Sequence, residues 1–368
     1  MKVLVVFGTR PEAIKMCPLI LEMKNRPEME TVICLTGQHK EMLRQVMDVF
    51  NISESYNLDI MKHRQTLTSI TASILEKMEP ILLKEEPDVV LVHGDTTTSF
   101  AAALAAFYQK IPVGHVEAGL RTNDMYSPFP EEMNRLLTDR ISSIYFAPTE
   151  QNKENLLKEG VINNVYVTGN TVIDSFAITV KKDYTFHNQT LKRIDFSSKR
   201  IVLVTAHRRE NLGTPIENIC DAISKLANEY ADVIFIYPVH LNPAIRDLVF
   251  GKLADISNVF LIDPIDVLDM HNMMARCYMV MTDSGGIQEE APHFGKPVLV
   301  LRTETERPEA VKAGTVMVVG VDSEKIYKSA KDLLDDSVLY SNMAKAVNPY
   351  GDGHAGKRIV DLLLKKAF

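Results

Sequence analysis

This chain of 368 residues is short of several things, and each shortage removes a class of function. Its cysteines are few: Cys17, Cys34, Cys220 and Cys277 are scattered, with no CxxC spacing. That distribution fits neither a disulfide framework nor a zinc ribbon, and it reads as reduced, buried thiols of a cytoplasmic protein. Positive charge is not in excess, since the formal net charge is −7. No basic block or aromatic–basic stripe offsets this, which argues against a nucleic-acid partner. No apolar run approaches the length that spans a membrane, so no membrane partner is expected. The run Val3–Phe7 is too short for the apolar region of a signal peptide, and Arg10, Glu12 and Lys15 follow at once. There is no repeat of short period, no low-complexity tail and no GxGxxG dinucleotide fingerprint.

What the chain does have is alternation. Short apolar runs bounded by turn residues suit strands covered on both faces. They fall at Lys2–Phe7, Thr31–Thr36, Asp88–His93, Ile111–Val116, Ser143–Pro148 and Val165–Thr168. They resume at Arg200–Ala206, Asp232–Tyr237, Val259–Ile262, Tyr278–Thr282, Pro297–Leu301 and Thr315–Val319. Helical patterns lie between them, including one over Met61–Glu79 and one starting near Ile287. The length allows two domains. Strand–helix alternation throughout predicts an α/β fold of two Rossmann-like, doubly wound parallel-sheet domains, with a cleft between them as the natural ligand site. The first domain is placed at residues 1–169 and the second at 170–351, crossing at Gly169-Asn170. A last helix, about 352–368, is expected to return to the first domain.

Polar residues gather at strand carboxyl ends, where open α/β sheets bind ligands. Features suited to phosphate are Arg10, His207, Arg208, the Ser284-Gly285-Gly286 turn and Arg307. Glycines let backbone approach a ligand closely, and a helix start offers unpaired N–H groups to an anion. Glu290 follows a turn later, where a carboxylate can accept from ribose hydroxyls. Asp95, Glu117 and Glu131 are carboxylates at strand ends or helix starts. Asp95 also suits a helix N-cap, and Glu131 suits the positive end of a helix dipole. His115 and Glu117, two apart on a strand, would share a face. A third ligand at recognisable spacing is missing, so no metal is expected. An anionic nucleotide beside several acid/base carboxylates points to nucleotide-sugar chemistry.

Eleven motifs in one order sharpen this. They are GTRPE (Gly8–Glu12), TGQH (Thr36–His39), RQTL (Arg64–Leu67), HGDTTT (His93–Thr98), HVEAGLR (His115–Arg121) and FPEEMNR (Phe129–Arg135). TGNTVID (Thr168–Asp174), AHRREN (Ala206–Asn211), TDSGGIQEEAP (Thr282–Pro292), TERPE (Thr305–Glu309) and NPYGDG (Asn348–Gly353) complete the set. The chain resembles, over essentially its whole length, the non-hydrolysing bacterial UDP-N-acetylglucosamine 2-epimerases. The resemblance implies the GT-B architecture, two Rossmann-like domains with an interdomain cleft, and the last helix packing on the first domain.

It also implies a reaction: interconversion of UDP-N-acetylglucosamine and UDP-N-acetylmannosamine, supplying N-acetylmannosamine for cell-surface polysaccharide. The family eliminates UDP anti across C1–C2 to give a 2-acetamidoglucal, then re-adds it with the proton delivered to the other face. By the same resemblance Asp95, Glu117, Glu131 and His207 are catalytic. Arg10, Lys15, Met270, Ser284, Gly285, Gly286, Glu290 and Arg307 contact substrate. Met270 stands where the family often carries Phe, and RTETERPE departs from the commoner RDTTERPE at Thr303 and Glu304. A second UDP-N-acetylglucosamine acting as an allosteric activator implicates Gln38, Arg64, Glu131, Arg208, Arg209 and His240. No cofactor is implied, and the family is commonly homodimeric. The competing readings are a hydrolysing epimerase, which releases UDP and free N-acetylmannosamine, and a non-catalytic nucleotide-sugar sensor.

Overall fold

The computed structural model describes residues 1–37, 40–61 and 65–365. It divides into two compact units. Unit 1 runs through β1 (Lys2–Phe7), α1 (Arg10–Lys24), β2 (Glu30–Leu35), α2 (Lys40–Val49), β3 (Tyr56–Asn57), α3 (Leu67–Glu85) and β4 (Val89–His93). It continues through α4 (Thr97–Tyr108), β5 (Val113–Val116), α5 (Glu131–Ile141), β6 (Ile144–Ala147), α6 (Glu150–Lys158), β7 (Val165–Val167) and α7 (Thr171–Thr179). Its seven strands are all parallel, in the order β3-β2-β1-β4-β5-β6-β7. The order reverses between β1 and β4, paired Val3 to Val89. That reversal opens a crevice at the strands' carboxyl ends. The loops bordering it are Gly8–Thr9 and Gly94–Thr96.

Unit 2 repeats the plan with β8 (Arg200–Thr205), α8 (Thr214–Glu229), β9 (Val233–Pro238), α9 (Pro243–Leu253), β10 (Val259–Ile262), α10 (Val267–Arg276) and β11 (Met279–Thr282). There follow α11 (Gly285–Glu290), β12 (Val298–Val300), α12 (Pro308–Ala313), β13 (Val316–Val318), α13 (Ser323–Asp335) and α14 (Ser337–Ala344). Its parallel order is β10-β9-β8-β11-β12-β13, with the reversal between β8 and β11. The central strands of both sheets are almost wholly buried, which is why they read as unbroken apolar runs rather than alternating ones. The four cysteines are buried and free of disulfides. Among the described residues no helix is long and apolar enough to cross a membrane.

The last helix, α15 (Ala355–Leu364), belongs to unit 1 and packs on α1. Asp361 pairs with Arg26 at 3.0 Å, and the Asp174 carboxylate accepts from the N–H groups of Ala355 and Gly356 at 3.1 and 2.7 Å. The expected junction at Gly169-Asn170 lies inside unit 1, which extends to Ile178 and resumes at Tyr350. Two contacts hold it there. Asn170 N–H donates to Tyr350 O at 2.7 Å, and Asn170 Oδ1 accepts from Val172 N at 3.0 Å at the start of α7. Gly169, at φ +89°, passes so close to this return segment that a Cβ would stand 3.3 Å from Tyr350 O.

Three local expectations need correction. The helix expected over Met61–Glu79 is α3, which starts at Leu67 and continues through Pro80 to Glu85. Thr66 and Ser69 form a reciprocal capping box that sets its start. Asp95 is not the cap of α4: Thr96 is, accepting from Ser99 N at 3.0 Å. The helix expected near Ile287 is α11, which begins at Gly285, so both glycines lie in its first turn.

Candidate active site

In unit 1 the crevice residues are built up from β1, β4 and β5. Glu12 is the buried anchor. Its Oε2 accepts from the N–H groups of Gly8 and Thr9 at 3.0 and 2.7 Å, and its Oε1 from Thr96 Oγ1 at 2.7 Å. It thereby ties the loop after β1 to the loop after β4 and sets the start of α1, where Arg10 is the first helical residue. Asp95, freed from capping, turns its Oδ2 to Arg135 Nη2 at 2.6 Å, while its carbonyl accepts from Asn134 Nδ2 at 2.9 Å. Arg135 also donates to Glu132 Oε2 at 2.8 Å, and Glu132 Oε1 accepts from Thr122 N and Asn123 N.

Glu117 follows β5 in the left-handed region, at φ +68°, a strained conformation for a residue with a side chain. Its buried carboxylate lies against Lys15 Nζ and 2.9 Å from His93 Nε2. Burial works against its charge, but Lys15 and His93 outweigh burial and hold the carboxyl well below the usual carboxylate range. Lys15, expected at the substrate, meets Glu117 here. Glu131 opens α5 on the helical face shared with Asn134 and Arg135, the residues that touch Asp95. Its Oε2 is buried and has no hydrogen-bond partner among the described residues. Asp95, Glu117 and Glu131 are thus carried by segments at the carboxyl end of one sheet, after β4, after β5 and at the start of α5.

In unit 2 the organising residue is Asp283, fully buried at the end of β11. Its Oδ2 accepts from His207 N at 2.8 Å, Arg208 N at 2.8 Å and Asn211 Nδ2 at 3.0 Å, which draws the loop after β8 up to the loop after β11. His207 Nδ1 lies 3.4 Å from Asp283 Oδ1, and its ring stacks on His240 at 5.9 Å between centroids. Burial lowers the His207 pKa, with Arg208 and His240 adding to the effect against Asp283. Ser284 precedes α11, and its side chain makes no cap bond. Arg307 donates from Nε to Glu289 Oε1 at 2.6 Å and lies 3.3 Å from Glu306. A Cβ on Gly285 would stand 2.5 Å from Arg307 Nη1, so glycine is what lets the guanidinium lie on the start of α11. Glu290 Oε2 is 3.7 Å from His271 Nε2, and Met270 is half-buried on α10. Gln38, Arg64 and the Arg209 side chain lie outside the described residues.

The face expected to be shared by His115 and Glu117 does not exist. The left-handed turn at Glu117 breaks strand alternation, and His115 points to Asp139 and Gly94 instead. One other cluster, His187, Asp266 and Asp269, brings its ligand atoms within 4.8 Å of one another. Its oxygens are already engaged. Asp269 accepts from Tyr184 Oη, His187 N and Asn188 N, each at 2.8 Å, and Asp266 caps α10 through Asp269 N at 2.9 Å. It reads as a clamp fastening the 184–188 segment to α10.

Residues 21–364 match the family profile described as UDP-N-acetylglucosamine 2-epimerase. The chain belongs to the UDP-N-acetylglucosamine 2-epimerase family. The Bacillus subtilis UDP-N-acetylglucosamine 2-epimerase is 52% identical over 99% of this chain and 95% of that protein. The crystal structure of the Neisseria meningitidis UDP-GlcNAc 2-epimerase bound to UDP-GlcNAc is 50% identical, covers all of both chains and superposes with a TM-score of 0.91. The Streptomyces nogalater glycosyltransferase SnogD, 15% identical over 98% of this chain and 99% of its own, shares the fold at a TM-score of 0.63. The architecture is GT-B, with two Rossmann-like parallel-sheet units.

Family membership leaves four residues that sequence reasoning did not assign: Glu12, His93, Arg135 and Asp283. Each stands inside a motif, but each acts on a partner distant in the chain, such as the pairing of Asp283 with the His207 loop. The faint signal was an acidic or basic residue inside a buried run, as with Asp283 directly after Met279–Thr282.

Proposed function

We propose that this chain epimerises UDP-N-acetylglucosamine at C2, reversibly and without net hydrolysis, to UDP-N-acetylmannosamine. The observation that carries the reading is the arrangement of Asp95, Glu117 and Glu131 at the crevice edge of unit 1, with cations set against the first two. The C2 proton of the sugar is not next to a carbonyl, so direct removal is too costly. Anti elimination avoids this. A carboxylate takes the C2 proton, the C1–O bond breaks with its electron pair leaving on UDP, and C1=C2 forms in a 2-acetamidoglucal. Re-addition forms C1–O again, with a proton delivered to the opposite face of C2. This needs a base, an acid on the other face and a grip on departing pyrophosphate.

The carboxylates supply the proton transfers. Within unit 2, Ser284, Gly285, Gly286, Arg307 and His207 supply the pyrophosphate grip, and Arg10 of unit 1 is a substrate contact. Glu290 takes the ribose hydroxyls, and the backbone near Met270 meets the base. Arg208, Arg209, His240, Gln38 and Arg64 serve a second UDP-N-acetylglucosamine as activator. The protein works as a cytoplasmic homodimer and feeds cell-surface polysaccharide synthesis.

Separation of the products formed from UDP-N-acetylglucosamine tests the reading. A mixture of the two nucleotide sugars that stops changing, with no free sugar, is the expected result. Stoichiometric UDP and free N-acetylmannosamine would make the chain a hydrolysing enzyme. Saturable UDP binding with no conversion would make it a sensor.

A further inference from the structure

The segment that carries Glu117 also carries a histidine with no part in the chemistry assigned above. His115 is fully buried on β5. Its Nδ1 lies 2.6 Å from Asp139 Oδ1 and its Nε2 lies 2.8 Å from the carbonyl oxygen of Gly94. A carboxylate and a carbonyl only accept, so the ring bridges them by donating on both sides. Gly94 directly precedes Asp95, sits at φ +65° and donates its own N–H to Val116 O at 2.9 Å. Asp139 lies about two turns along α5 from Glu131. Its Oδ2 accepts from Arg121 Nη2 at 2.6 Å, and Arg121 Nη1 donates to Leu120 O at 2.8 Å, in the loop that starts at Glu117. Glu159 accepts from Arg121 Nε and Nη2 at 2.7 and 2.8 Å.

One hydrogen-bonded chain therefore runs from Gly94 O through His115, Asp139 and Arg121 to Leu120 O. Its ends are backbone carbonyls of the two loops that present Asp95 and Glu117, and its middle is anchored on the helix that presents Glu131. The side chains of His115, Asp139 and Arg121 are 0%, 1% and 2% exposed, so none of them reaches a substrate. Burial opposes the charge on Asp139, and His115 and Arg121 overcome it, holding the carboxyl below its usual range. A buried network with its polar atoms matched resists small displacements, because each displacement leaves a desolvated group unpaired.

We propose that His115, with Asp139 and Arg121, is a positioning residue for the reaction: it locks the Gly94–Asp95 turn to the Glu117 loop and to α5, so that the carboxylates stay aligned through both elimination and re-addition. The inference rests on the epimerase reading and deepens it. Misalignment of reacting groups by about 1 Å costs on the order of 10²-fold in rate. The nucleotide grip is assigned to other loops and is left intact.

The test compares His115→Phe, His115→Gln and Asp139→Asn with wild type. In His115→Phe, kcat falls by about 10²-fold, while KM for UDP-N-acetylglucosamine and Kd for UDP stay within about threefold. His115→Gln, which keeps a donor for Gly94 O, recovers part of kcat. The variants release 2-acetamidoglucal and UDP during turnover, because re-addition is the step that most needs alignment. Amide hydrogen exchange at Gly94–Thr96 and Glu117–Leu120 speeds up, with the rest of unit 1 unchanged. A folded His115→Phe protein with wild-type kcat, or unchanged exchange at Gly94–Thr96, would overturn the proposal. If His115→Phe does not fold, His115→Gln and Asp139→Asn decide it by the same readings. A wild type that fails to epimerise sinks the functional reading instead, and the exchange data then decide the positioning claim alone.

Discussion

Asp95 shows how a side chain becomes available for chemistry. Thr96 takes over the capping of α4, and the Asp95 carboxylate is left to face Arg135. Asp95→Asn keeps the shape and loses the proton acceptor. Turnover is expected to fall by about 10²–10⁴-fold, with UDP affinity measured by calorimetry nearly unchanged. Wild-type turnover in this variant would remove Asp95 from the chemistry. Gly285 makes a different demand, for space. Alanine there would put its Cβ against an Arg307 guanidinium already held by Glu289 and Glu306. The prediction for Gly285→Ala is a KM for the nucleotide sugar raised by about tenfold, equivalent to ~1.4 kcal/mol, with the melting temperature little changed. An unaltered KM would show that Arg307 does not need its place on α11. At this scale the sequence singled out candidate residues but not what they touch. Lys15 and Glu117 are 102 positions apart, and nothing local to either predicts their pairing.

At the level of elements, strands were legible to within a residue or two. A strand buried on both faces has to be an unbroken apolar run, and its ends are marked by the polar residues the crevice uses. Helix ends were less legible, because they depend on caps and on tolerated exceptions. The box that starts α3 has Ser69 at its third helical position in place of the usual Glu or Gln, and the helix runs on through Pro80. Strand β3, two residues long, has no apolar run to announce it. Pro80 is exposed in the interior of α3 and lacks the N–H that would bond one turn back. Pro80→Ala is expected to stabilise unit 1 by as much as ~3 kcal/mol, read as a higher unfolding midpoint. A lower midpoint would mean that the proline has a packing role that the helix ladder does not reveal.

For the whole molecule, the two sheets divide the labour by the same topological rule. Each reverses strand order once, and loops of the proposed site border that reversal: Gly8–Thr9 and Gly94–Thr96 in unit 1, His207–Asn211 and Asp283–Gly286 in unit 2. On the proposed reading, the first carries the proton-transfer carboxylates and the second most of the nucleotide contacts. On that reading a chain of net charge −7 holds an anionic substrate through cations placed locally. The α/β class and the doubly wound plan followed from the spacing of apolar runs. The reach of unit 1 to Ile178 did not, because the bond from Asn170 N–H to Tyr350 O, just before α7, joins distant parts of the chain. The central claim is that carboxylates of unit 1 break and remake the C2–H bond of a nucleotide sugar. Proton NMR of UDP-N-acetylglucosamine incubated with the protein in D₂O tests it directly. The prediction is UDP-N-acetylmannosamine in the mixture and deuterium at C2 of the recovered nucleotide sugars. Epimerised product that retains protium at C2 throughout, or no epimerised product at all, would contradict it.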